Sequence, residues 1–195
     1  MKIKKRKKNN FRNGFSILEI IVSLSLFVFA IFLVFSLYSS AQKSYNKGSN
    51  KAELIQNARV CLDRMSREIR QALDLITVLP EVNDDVGNPP PDEIFFRDGH
   101  DMDQITYIKY YLDNTNLKRT HMAYYFAADP SVYVPYDSTD ILGDPPDELI
   151  LEDFIIGEYF NDIDFWGSGG LVYIFLDLSK GTDFYKVESS VFSRN

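Results

Sequence analysis

A single cysteine, Cys61, occurs in 195 residues, so the chain has no internal disulfide. Set beside Leu62 in a helical pattern, that thiol reads as a small buried apolar residue. Histidine is almost as scarce. His100 and His121 are too few and too isolated to nominate a catalytic triad. The glycine-rich stretch Gly167-Ser168-Gly169-Gly170 lacks both the lysine of a phosphate-binding loop and the order of a nucleophile elbow, so it reads as a turn. Carboxylates are abundant but scattered, and no pair stands out for acid–base work. No internal repeat is present. An enzyme is not expected, nor is a small-molecule substrate.

Metal-ligand spacing is equally thin. Asp98, His100, Asp101 and Asp103 lie close together after Arg97, yet they match no zinc or EF-hand pattern and read as a solvated turn. Asp137, Asp140, Asp144 and Asp147 supply oxygen atoms that a calcium ion could use, as any acidic loop would. The expectation is no cofactor.

Acidic residues are missing from the first 14 positions, which hold seven of the 21 lysines and arginines. The remainder therefore carries 14 basic against 28 acidic residues, a balance of -14. Such a surface opposes direct nucleic-acid binding. The basic block predicts a cytoplasmic N-terminus by the positive-inside rule, with the acidic remainder across the membrane.

Between these two parts runs the most informative segment. From Ile17 to Leu37 there are 21 residues and one charge, Glu19. As a helix this run would extend roughly 31 Å, close to the hydrocarbon thickness of a bilayer. A carboxylate inside it costs free energy and implies a partner.

Asn13-Gly14-Phe15-Ser16-Ile17-Leu18-Glu19 resembles the class III leader of type IV prepilins and type II secretion pseudopilins. Gly14 matches the last leader residue, Phe15 the first mature residue and Glu19 the fifth. The resemblance implies cleavage after Gly14 by a prepilin peptidase, N-methylation of Phe15, and use of Glu19 in assembly with other pilin-like subunits through their N-terminal helices. Glycine suits the cut because it has no side chain to obstruct a protease. It also implies residence in the cytoplasmic (inner) membrane, single-pass, with the C-terminal domain extracytoplasmic, before incorporation into a pilus or pseudopilus. Two other readings stand beside it. One is a secretory signal peptide cut after Ser39-Ser40-Ala41, before Gln42. The other is a plain anchor carrying an extracytoplasmic binding domain outside any filament.

Beyond the membrane segment, Ile55, Ala58, Leu62, Met65, Ile69, Ala72 and Ile76 recur at helical spacing. Arg59, Asp63, Arg64, Arg67, Glu68 and Arg70 would form the solvated face, and Gly48 would loosen a turn. Pro80 to Glu93, with Pro89-Pro90-Pro91, forbids further helix. Period-two segments follow. Gln104 to Leu112 and Leu117 to Phe126 flank Asp113-Asn114-Thr115-Asn116, a hairpin signal. A loop is expected over Asp129 to Asp147, then strands near Glu148 to Ile156, Tyr159 to Phe165, Leu171 to Leu178 and Phe184 to Phe192. Arg64 to Ala72, Tyr111-Leu112-Asp113-Asn114, Leu117-Lys118-Arg119-Thr120 and the terminal Arg194-Asn195 are similar to segments of J-type minor pseudopilins and PilW-like minor pilins. The expected fold is α+β, a long N-terminal helix on an antiparallel sheet. The divisions are 1–14 leader, 15–41 membrane or filament-core half-helix, 42–76 amphipathic half, 77–93 linker and 94–195 β domain.

Overall fold

The computed structural model describes residues 16–84, 87–100 and 104–194. The chain divides into two compact units, one ending at Asn46 and one beginning at Lys47. A single helix, α1 (Ile17–Gln71), supplies the described part of the first unit and the opening of the second. Ser16 starts it. Its Oγ accepts a hydrogen bond from the Leu18 amide at 3.3 Å, and its carbonyl oxygen accepts from the Glu19 and Ile20 amides. This satisfies donors that the first helical turn leaves without partners.

The second unit buries one stripe of the helix, Leu54, Ala58, Cys61, Met65 and Ile69. Burying each of the larger side chains contributes about 1.5–3 kcal/mol. The described residues of the second unit also form nine strands: β1 (Asp74–Leu75), β2 (Glu93–Arg97), β3 (Thr106–Asp113), β4 (Asn116–Phe126), β5 (Asp129–Val134), β6 (Asp147–Gly157), β7 (Phe160–Ser168), β8 (Leu171–Lys180) and β9 (Asp183–Phe192). The first six form a sheet in the order β1-β2-β3-β4-β5, with β6 paired to β4. β7-β8-β9 form a second sheet, and all pairs are antiparallel. Strict alternation drives both. Ile94 and Phe96 of β2, and Val172, Ile174, Leu176 and Leu178 of β8, turn inward on every second residue. Both sheets and the helix share one core. The fold is α+β, as expected.

Two close approaches position the helix. A Cβ on Gly157 would lie 2.6 Å from Cys61 Sγ and 2.8 Å from the Phe160 ring. At the helix end, a Cβ on Gly99 would lie 2.0 Å from the Gln71 carbonyl oxygen. Glycine therefore lets the chain reach both contacts.

Several expectations are corrected. The amphipathic helix, expected to run through 76, ends at Gln71. Beyond it the Leu73 amide donates to Arg97 O, and Asp74 and Leu75 pair with Arg97 and Phe96. Backbone pairing with β2 thus outcompetes a continued 3.6-residue period. The expected single sheet is two. The loop foreseen over Asp129 to Asp147 contains β5, where Pro130 is tolerated on a short strand with exposed residues. The helical stripe is rotated: Leu54 and Cys61 are fully buried, whereas Ile55 is 37% exposed. Gly48 lies within the helical span. The 113–116 hairpin forms as expected, with Asn114 at φ 58°.

Candidate functional site

Among the described residues, the first unit has no core. Ile17, Leu24, Phe35 and Leu37 are 79%, 62%, 68% and 71% exposed, and no residue of the most apolar 18-residue window is buried. A helix apolar on every side cannot face water stably, so lipid or other protein must cover it. By length and composition it can cross a membrane. Its hydroxyl chemistry is compatible with that: Ser25 Oγ donates to Ile21 O at 2.8 Å, within the same helix. Tyr38, an amphipathic ring, closes the apolar run, and a polar stretch with Lys43 and Lys47 follows.

Glu19 stands in the first turn of α1, three residues after the capping serine. Ser16-x-x-Glu19 is the spacing of a capping box, and an acid there also faces the positive end of the helix dipole. In lipid alone this carboxylate is a cost. The helix start supplies a local gain as well. Gly14 and Phe15 lie outside the described residues.

A second constellation joins the helix to the large sheet. Tyr110 Oη donates to Glu68 Oε2 at 2.6 Å. Arg119 Nε reaches Glu68 Oε2 at 2.9 Å and Oε1 at 3.1 Å, and Arg64 Nε donates to Oε1 at 3.2 Å. Arg119 Nη1 donates onward to Glu152 Oε2 at 3.1 Å, and both guanidinium groups lie over the Phe154 ring. Burial pushes the Glu68 carboxyl up, but hydrogen bonds from Arg119 and Tyr110 more than offset it, leaving it below the usual carboxylate range. Burial, then the Glu68 charge, raises the Tyr110 hydroxyl well above the ordinary tyrosine value. Glu68 was read as solvated and is instead largely enclosed. The available signal was its spacing of three from Met65, which sets it beside the buried stripe. This is a helix–sheet lock and holds no free nucleophile.

The remaining candidates disperse. Cys61 is buried, its Sγ donating to Ile156 O at 3.4 Å, and burial pushes the thiol up to about 12. His121 Nε2 stands 3.7 Å from Asp98 Oδ2, without a hydrogen bond. Asp98 Oδ1 instead accepts from the His100 amide, and Asp101 and Asp103 lie outside the described residues. Asp140 Oδ1 accepts from the Leu142 and Asp144 amides, an Asx-type turn within the acidic loop. Among the described residues no group of three or more His, Cys, Asp or Glu side chains could hold a metal ion. Comparison with known protein families, curated proteins and solved structures finds no match to this chain.

Proposed function

We propose that this protein is a minor pilin or pseudopilin, cut after Gly14 by a prepilin peptidase and N-methylated at Phe15. It then assembles into, or primes, a type IV pilus or type II secretion pseudopilus. The supporting observation is the first unit: an apolar helix bare on all sides, with one carboxylate in its first turn, directly after the Gly14-Phe15 junction. In the membrane, lipid covers that surface. In a filament, the same helices of neighbouring pilin-like subunits replace lipid. Cleavage would convert a seven-fold positive leader into a single terminal amine. That amine and the Glu19 carboxylate are opposite charges, each costly alone in an apolar bundle and less costly when paired between subunits. Glu19 would thus set the register of assembly. The basic leader supports a cytoplasmic start, with the acidic domain then outside the inner membrane.

Mass spectrometry of the N-terminus from isolated membranes tests the reading. A methylated Phe15 is expected. A start at Gln42, or an intact Met1, would overturn it and leave the second reading, a secreted or membrane-anchored extracytoplasmic binding domain.

A further inference from the structure

β6, like β9, is an edge strand, but unlike the other long strands it is exposed on both faces over most of its length. It pairs with β4 on one side, and among the described residues no strand lies on its other side. Its first seven residues are all exposed, where a half-buried strand would alternate. Ile150 is 57% and Ile155 48% exposed, and Leu149 and Leu151 stand open with them. Edge strands are ordinarily protected by lysine, proline, β-bulges or a covering element. The register of β6 against β4 shifts at Leu151 and Ile156, so its edge is regular over 147–150 and again over 152–155. Between 147 and 157 there is neither lysine nor proline. Only the far end is closed, where Cys61 Sγ donates to Ile156 O and Asn57 Nδ2 donates to Glu158 O. The run 147–155 presents an unpaired backbone edge.

Charge along that edge is uneven. Glu152 is held by Arg119 and Asp153 by Lys118. Asp147 and Glu148 have no ion pair among the described residues. Asp147 also borders a cleft of about 840 Å3, together with Asp129, Asp140 and Asp144, none of them in an ion pair with a described cation. One end of the edge is therefore strongly negative, and the rest is apolar apart from the two ion-paired acids, Glu152 and Asp153. A second β6 would bring the same carboxylates, opposite apolar residues, and supply no cation.

We propose that β6 accepts an extended segment of a partner polypeptide as an added strand. The partner carries lysine or arginine beside Asp147 and Glu148 and alternating aliphatic residues along 149–155. Main-chain hydrogen bonds would give affinity and the acidic end would fix direction. The inference stands on the sheet alone and needs neither a filament nor a cleaved leader.

The test uses the full chain in detergent micelles, titrated with fluorescent synthetic peptides of about nine residues, near the length of an ordinary strand or slightly longer. Each alternates valine and threonine, with three lysines at the N-terminal end, three at the C-terminal end, or glutamates in their place. One lysine peptide is expected to bind and the glutamate peptide is not. An added strand uses a single edge. N-methylation of one alternate set of its amides should weaken binding on the order of a hundredfold, whereas methylation of the other set should leave it unchanged. Asp147→Lys/Glu148→Lys should transfer binding to the glutamate peptide. Failure of both lysine peptides to bind, or equal effects of the two methylation sets, would overturn the proposal.

Discussion

Glu68 on the helix and Arg119 on β4, 51 residues apart in sequence, meet through two contacts of 2.9 and 3.1 Å, with the arginine side chain only 7% exposed. Glu68 also accepts from Tyr110 and Arg64, so its carboxylate gathers three donors from helix and sheet. Such a pair contributes little relative to an apolar substitute, yet removal of one partner leaves a buried charge without compensation.

Arg119→Met or Glu68→Met should therefore each destabilise the fold by about 3 kcal/mol, whereas the double variant should lose clearly less than the sum. Urea unfolding of the four proteins measures this. Additive losses would show that the two side chains act independently.

His121 predicts a pH dependence. Burial, then the nearby Arg119 charge, lowers its pKa, against the opposing pull of Asp98, Glu152 and Glu68. On acidification the unfolded chain takes up this proton first. Its stabilising contribution is full above about pH 6.5 and is lost as pH falls through the folded value. His121→Gln should flatten the fall of the urea midpoint below pH 6.5. Unchanged slopes in the two proteins would exclude His121 as the source.

Gly157→Ala would drive a methyl group against Cys61 Sγ and the Phe160 ring, destabilising by about 1–3 kcal/mol. Cys61→Ala in the same chain should recover part of that loss, because it removes the nearer obstacle. Thermal unfolding of the single and double variants decides the matter. No recovery would place the clash on Phe160.

The Cys61 thiol itself should resist alkylation in the native protein and react on unfolding, since burial raises its pKa to about 12 and the thiolate is the nucleophile. A stoichiometric label in native conditions would show that the helix–sheet seam opens.

On the proposed filament role, Glu19→Ala should leave membrane insertion intact while impairing incorporation into filaments, because apolar burial in lipid needs no carboxylate whereas the proposed register would. Fractionation followed by immunogold labelling of sheared filaments provides the readout. Wild-type incorporation of the variant would remove Glu19 from assembly.

The helix and the main strands were legible because their apolar residues keep strict periods: three and four from Ala58 to Ile69, two along β8. The 113–116 turn was legible because Asn114 tolerates the left-handed backbone that a two-residue hairpin loop requires. What escaped notice depends on distant partners. Leu73 to Ile76 keep an apolar pattern, and only the arrival of β2 turns them into a sheet edge. β5 was hidden by Asp129 and Pro130, which signal a loop until β4 offers a partner. Glu68 looks solvated from its charge alone, and Arg119 makes its enclosure tolerable. In the first unit the apolar run and Glu19 are legible directly, because the run is exposed among the described residues and its composition alone marks it. The serine cap beneath Glu19 went unremarked for want of a defined helix start.

That cap has a consequence for processing. Among the described residues, the hydrogen bonds that open α1 begin at Ser16. On the proposed processing, a cut between Gly14 and Phe15 would leave these hydrogen bonds in place. On that reading, the helix released by the peptidase would already carry the cap with which it meets its neighbours.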